Sequence, residues 1–340
     1  MKVSVIGRKE NQYGSMSRYY NVLVKYIPNS HLFHVDKPTS PFIPKCLTEY
    51  ILRPFQLRGD IEKDGIIHFT EPYFGHFLYF MNTKNTVITC HDIYHTVVND
   101  FKGFDKFFYN LSMKGMLTAK RIIADSKNTK RDLMDYFKCP EDKIKVIPLG
   151  VGLKYRKNPI NKNGTMKYIV HVGVEGYNGR KNVYGLIKAF YKLKKRMPEV
   201  KMIQAGTQKG VYAKLIGELG LQHDIEFLGW VSEEEKIKLY NLADIFVFPS
   251  YYEGFGLPPL EAMACGCPVI TSNTSSLPEV VGDAGIMVNP NDIDGLANAM
   301  YEVLTTDSLR QDMIKKGLER VKLFSWERTA KETYAVYAEI

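Results

Sequence analysis

Short apolar runs recur along this chain and alternate with longer stretches of helical periodicity. In the first half, Val3–Ile6, His31–Val35, Ile66–Phe69, Thr86–Cys90, Arg121–Ala124 and Ile144–Ile147 read as buried strands. Residues 101–119 and 126–137 read as helices between them. The segment 36–65 is proline-rich, lacks a clear period and reads as loops with a short helix. Such alternation implies βαβ units and a parallel sheet. After Pro148-Leu149-Gly150-Val151-Gly152 the pattern starts again. Strands at Tyr168–Val172, Lys201–Ala205, Ile225–Leu228, Asp244–Phe248 and Pro268–Thr271 alternate with helices at 181–196, 232–242 and 292–304. Residues 153–166 are polar and turn-rich and form the best linker in the chain. The expected class is α/β, two Rossmann-like parallel-sheet domains facing a cleft, with ligands beyond the carboxyl ends of the strands.

Size agrees with two domains, since 340 residues exceed what one core usually organises. Apolar residues at 45% and charged ones at 24% are ordinary for a globular protein. No run approaches the length of a transmembrane helix. Met1–Gly7 opens on a strand pattern rather than a signal peptide. The five cysteines, Cys46, Cys90, Cys139, Cys265 and Cys267, suggest a reducing compartment and no disulfide framework. Cys265 and Cys267 lack a second Cys/His pair at metal-ligand spacing, so they read as small buried residues.

Charge changes the picture more. Residues 1–155 hold 23 Lys/Arg against 15 Asp/Glu, and the remainder holds 23 against 22, so the net +9 sits almost wholly in the first half. That surplus suits an anionic membrane surface, a phosphorylated substrate or plain solubility. No nucleic-acid-binding motif accompanies it. Phe101, Phe104, Phe107, Phe108 and Tyr109 are interleaved with Lys102, Lys106, Lys114 and Lys120. A basic amphipathic helix of this kind lies on anionic lipid or packs inward with its lysines solvated.

The densest chemistry lies at Glu253-Gly254-Phe255-Gly256-Leu257-Pro258-Pro259-Leu260-Glu261. The chain leaves a strand, presents Glu253 and a run of backbone N–H groups, and enters a helix near Leu257 that carries Glu261. Free N–H groups at a helix start attract phosphate, and carboxylates accept sugar or ribose hydroxyls. The plainer alternative is an αβ loop whose glutamates cap a helix. Val172-Gly173-Val174-Glu175-Gly176-Tyr177-Asn178-Gly179-Arg180-Lys181-Asn182 pairs a glycine-rich turn with adjacent cations, a combination suited to a diphosphate. His91-Asp92 follows the strand Thr86–Cys90, where a side chain points toward the ligand edge. Asp92 either orients the imidazole or caps the next turn, and His95 reads as a packing residue. The first βα turn, Arg8 to Ser17, is not G-x-G-x-x-G, which argues against a nicotinamide cofactor. Ser232 and Glu235 have capping-box spacing. Asp292-Ile293-Asp294 has a metal-site look but stands where acids cap a helix.

With the following Ala262-Met263-Ala264-Cys265-Gly266-Cys267-Pro268-Val269-Ile270, the Glu-x7-Glu block closely resembles the signature of the retaining glycosyltransferases of family GT4, which have the GT-B fold. The resemblance runs over nearly the whole chain and is strongest in 168–300. It implies an acceptor-side domain over 1–153, a nucleotide-sugar domain over 154–325, and a C-terminal helix, 326–340, that crosses back onto the first. It aligns Gly14 with a glycine loop near donor phosphate or acceptor, although Ser15 replaces the usual second glycine and a turn requirement would also explain Gly14. His91 would contact the donor sugar. Arg180 and Lys181 would stabilise the departing diphosphate, although Val174 stands where many relatives carry another arginine. Trp230 or Val231 would flank the base, core packing being the alternative for Trp230. Glu253 would bind the donor sugar, Glu261 the ribose, and Gly254, Phe255, Gly256 and Leu257 would line the donor site.

The implied reaction moves a sugar, mannose from GDP-mannose by the His-Asp and Arg-Lys-Asn variants, with UDP-sugars open. The acceptor is a hydroxyl of a glycan or lipid-linked molecule, configuration is retained, and neither metal nor cofactor takes part. A cytoplasmic protein, peripheral at the inner membrane face and without nucleic acid, would fit. The rival readings are a GT-B sugar-nucleotide epimerase and a non-catalytic sugar-nucleotide-binding relative.

Overall fold

The computed structural model describes residues 1–8, 15–35, 48–61, 65–81, 84–158, 160, 165–174, 179–207 and 209–340. It divides into two compact units, one of Met1–Gly150 with Trp326–Ile340, the other of Val151–Ser325.

The first unit is a parallel sheet of β1 (Val3–Arg8), β2 (Ser30–Val35), β3 (Ile66–Phe69), β4 (Thr86–Cys90), β5 (Arg121–Ala124) and β6 (Ile144–Val146), in the order β2-β1-β3-β4-β5-β6. Its inner strands are buried on both faces, which explains why they read as unbroken apolar runs. Ile6, Ile67, Phe69, Ile88 and Ile122 form the core with Met113 and Met116 from the helix Gly103–Met116. That helix begins later and ends earlier than the expected 101–119. Within 36–65, the described part holds a short helical turn at Thr48–Leu52 and the helix Arg53–Asp60, whose Pro54 sits at the start, where its missing N–H costs nothing. The helix Trp326–Ala338 belongs to this unit: Tyr337 meets His68 at 2.6 Å, and Thr329 donates to the Pro148 carbonyl at 2.8 Å.

The second unit is a parallel sheet of β7 (Lys167–Val172), β8 (Val200–Ala205), β9 (Ile225–Gly229), β10 (Ile245–Phe248), β11 (Val269–Ser272) and β12 (Ile286–Val288), in the order β12-β11-β10-β7-β8-β9. Five of these strands correspond to the apolar runs. The sixth, β12, is three half-buried residues at an edge, too short for a period to show. The helices Val183–Lys194 and Ile293–Thr305 bury Leu186, Phe190, Met300 and Val303 in a core with Ile169, Met202 and Val247.

Helices start where side chains meet their orphan amides. Ser126 accepts from the Thr129 N–H, Asn182 from Gly185, and Asp292 from Gly295. The box expected at Ser232 and Glu235 is formed in both directions, at 3.2 and 2.7 Å. Asp294, the second acid of the D-x-D, pairs with Lys192 at 2.6 Å. His95 packs as expected, stacked on Phe101 and bonded to Asp100. The four described cysteines are buried free thiols, and Cys46 lies outside the described residues.

Candidate active site

In the second sheet the chain runs β7-β8-β9 to one side and then returns to lay β10 against the other side of β7. Ligands of open α/β sheets bind at such a reversal, beyond the carboxyl ends of the two strands. Arg180 and Lys181 follow β7 and Glu253 follows β10, and they meet there. Lys181 Nζ lies 2.6 Å from Glu253 Oε1, and the Arg180 guanidinium lies 3.9 Å from Oε2. Ser250 donates to Oε1 at 2.6 Å, and the Tyr251 N–H donates to the Arg180 carbonyl at 2.9 Å, tying the two loops together. Burial alone would raise the Glu253 carboxyl. The charges of Lys181 and Arg180 and the donated hydrogen bonds outweigh it and hold the carboxyl below its ordinary range.

Glu253 is followed by a built turn. Its N–H donates to Ser275, and Ser276 donates to the carbonyls of both Glu253 and Phe255. Gly256 has φ +115, which calls for glycine, and a Cβ there would also lie 2.8 Å from the end of the Leu277 side chain and displace it. The helix Leu257–Ala264 begins at once, with Pro258 and Pro259 in its first turn. Neither proline has an N–H, and the Leu260 N–H turns back to Gly256. The amides left for an anion are therefore those just before, at Phe255, Gly256 and Leu257. Glu261 is almost wholly buried on this helix; Oε2 accepts from Tyr240 at 3.0 Å and from Lys236 at 3.5 Å.

Two residues of this edge carried no sequence signal. His171 and Gln204 sit on neighbouring strands, fully buried, with His171 Nδ1 facing Gln204 Oε1. The Gln204 amide nitrogen donates to the carbonyls of Gly173 and Ala205, so its oxygen must face the ring and Nδ1 must carry the proton. Burial, aided by Lys181, lowers the His171 pKa to about 4 although Gln204 opposes it; the ring is neutral. Asn182, the third residue of the Arg-Lys-Asn run, is a structural anchor: φ +55, capping Gly185 and donating to the Pro290 carbonyl at 2.7 Å. Trp230 is 66% exposed and so is not a core residue, while Val231 is half-buried. Residues 175–178 of the glycine-rich loop lie outside the described residues.

In the first unit His91 stands at the carboxyl end of β4, 7% exposed. Nδ1 lies 2.6 Å from Asp125 Oδ2, at the end of β5, and Nε2 lies 2.8 Å from the Thr70 carbonyl. Asp92 caps the following turn by accepting from the Tyr94 N–H, so Asp125, not Asp92, orients the imidazole. Thirty-four positions separate His91 from Asp125, and only the pairing of β4 with β5 brings them together. Beside them Tyr19 bonds Thr89, which bonds His68 Nε2. At the reversal between β1 and β3, Arg8 pairs with Glu71 at 3.3 Å. Gly14 lies outside the described residues.

The profile of "Glycosyltransferase Family 4" matches residues 15–155, and that of "Glycosyl transferases group 1" matches 155–320. An O-antigen chain mannosyltransferase B of Escherichia coli is 33% identical over 290 residues, 81% of this chain and 74% of that protein. The chain belongs to glycosyltransferase family 4. The serotype-specific mannosyltransferase WbdA of Escherichia coli is 30% identical over 72% of this chain, which spans only 32% of that longer protein. The sucrose-phosphate synthase of Thermosynechococcus elongatus superposes with a TM-score of 0.82 at 21% identity, covering 99% of this chain and 98% of that one. This glycosyltransferase therefore has the GT-B fold, and it is a transferase rather than a binding module.

Proposed function

We propose that this glycosyltransferase moves a mannosyl group from GDP-mannose to a hydroxyl of a glycan or lipid-linked acceptor, with retention of configuration and without a metal ion. The observation that carries the reading is the meeting of Lys181, Arg180 and Glu253 at the reversal of the second sheet, beside the amides of Phe255, Gly256 and Leu257. A diphosphate arriving there draws the two cations from Glu253, and the freed carboxylate accepts hydroxyls of the sugar. Each cation or amide that meets charge developing on the leaving phosphate is worth ~2.7–4 kcal/mol if it acts like an oxyanion-hole donor. Glu261 holds the ribose, and Trp230 and Val231 flank the base. The acceptor oxygen bonds to the anomeric carbon as the carbon–phosphate-oxygen bond breaks, and the acceptor proton passes to the leaving phosphate. The mannose assignment is supported by the activities named for the similar proteins. The setting we propose is the anionic inner face of a membrane, met by the basic first unit. Among the described residues no helix is long and apolar enough to cross a membrane.

Thermal unfolding with GDP, UDP, ADP and NAD in the presence of EDTA, on the wild type and on Glu261→Ala, tests the donor site. A ligand at 100 times its Kd adds ~2.7 kcal/mol. GDP should raise the melting temperature of the wild type and not of the variant. No shift with any nucleoside diphosphate, or an equal shift in the variant, would remove the donor site from Glu261.

A further inference from the structure

The contacts of His91 cannot be satisfied by a neutral histidine beside an ionised aspartate. The Thr70 carbonyl only accepts, so Nε2, at 2.8 Å, must carry a proton. A neutral ring would then turn a bare Nδ1 lone pair on the Asp125 carboxylate at 2.6 Å, lone pair against lone pair in a buried site. The distance is that of a charge-assisted hydrogen bond, which requires a second proton between Nδ1 and Oδ2.

We infer that Asp125 is a positioning residue that holds His91 as a doubly donating imidazolium, a fixed cation rather than a proton acceptor. Among the described residues the Asp125 Oδ1 is buried and meets no hydrogen-bond donor, so the ring is the partner this carboxyl group has. The surroundings on every packed element agree. Glu71 after β3, itself paired with Arg8, adds negative charge at His91, and Asp92 adds it at Asp125. Tyr19, from the helix Ser15–Tyr26, presents its ring edge-on at 5.2 Å. His68 on β3, joined to Tyr19 through Thr89, is driven by burial and by His91 down to about 3 and stays neutral. For His91 burial opposes protonation, but Asp125 and Glu71 outweigh it and raise its pKa; burial also raises Asp125. Both directions favour the pair with its extra proton bound.

The inference deepens the glycosyl-transfer reading and rests on it for its consequence. With both nitrogens committed, His91 offers a substrate its positive charge and its polarised C–H edge, and no lone pair. A cation so fixed favours negative charge developing in the substrate group that meets it in the transition state, so its loss should lower kcat more than it raises the donor KM.

The test uses the full chain labelled with 15N-histidine, with ring spectra followed from weakly acidic to alkaline pH and His91 assigned through its backbone. Protons on both ring nitrogens at neutral pH are expected in the wild type, with one lost in Asp125→Asn. A bare ring nitrogen in the folded wild type would overturn the inference; that measurement needs neither a variant nor a substrate, so it stands apart from the fate of the donor assignment. In turnover, Asp125→Asn should lower kcat about tenfold with little change in donor KM, and should cost nothing further in a His91→Gln background. An undiminished loss in that background would show that Asp125 does not act through His91.

Discussion

A carboxylate taken out of water costs several kcal/mol unless cations and donors meet it, and the loop after β10 is arranged around that requirement. Glu253 meets Lys181 and Ser250 on one oxygen and approaches Arg180 with the other. Its pKa is lower in the folded protein than in the unfolded chain. The stabilisation is therefore complete above the unfolded glutamate value of about 4.3 and is lost as pH falls through the lower, folded value. Glu253→Gln removes the carboxylate that Lys181 meets at 2.6 Å and should cost about 3 kcal/mol at neutral pH. The difference between the two proteins should shrink in acid, as the wild-type carboxyl is protonated. Urea unfolding of both at neutral and acidic pH measures this, and a pH-independent difference would show that the pair contributes no net charge stabilisation. The cations and the carboxylate could each be read from the chain; their pairing across 72 positions could not, because it follows from β7 and β10 being neighbours.

Between elements of the first unit, two backbones approach closely. The short helix Pro72–Tyr79 crosses the helix Gly103–Met116 at Gly75 and Gly115. A Cβ on Gly75 would lie 2.0 Å from the Ser112 carbonyl oxygen, and one on Gly115 would lie 2.2 Å from that of Gly75. Both obstacles are main chain, so neither can rotate away. Gly115→Ala should destabilise by about 3 kcal/mol and disturb Thr70 and Glu71, which precede the crossed helix and face His91. Gly210→Ala, where nothing lies within 4 Å of the added carbon, serves as the control. Equal melting temperatures for the two variants would rule out the close approach. Neither glycine stands in a turn, and nothing local distinguishes them from a flexible residue. The capping box at Ser232, by contrast, is complete within four residues, so the spacing alone revealed it.

At the scale of the molecule, one helix of the charge-rich first half also carries exposed aromatic rings. The first 155 residues carry almost all the excess of Lys and Arg, and the helix Gly103–Met116 exposes Phe104 at 82% and Phe107 at 60% beside the exposed Lys102, Lys106 and Lys114. Its opposite side buries Tyr109, Met113 and Met116, which is the packed reading of this segment, and the exposed face is the one the proposed membrane surface would meet. Each Lys near an anionic surface contributes about 1 kcal/mol, screened by salt. The protein should float with anionic vesicles at low ionic strength, less so at high, and a Phe104→Ala, Phe107→Ala double variant should float less. Equal partitioning onto neutral and anionic vesicles would remove the membrane from the proposal.

What the sequence determined by itself was local. Burial on both faces made the inner strands of each sheet visible as apolar runs, the turn between Glu253 and Leu257 showed in its glycines and prolines, and helix starts showed in their caps. All of these are settled within a few residues. The tertiary structure decided which chain segments lie side by side: β12 at its edge, His171 against Gln204, Asp125 rather than Asp92 on His91, and Lys181 on Glu253. Strand order in a parallel sheet joins residues tens of positions apart at one carboxyl edge, and no pattern along the chain records that order.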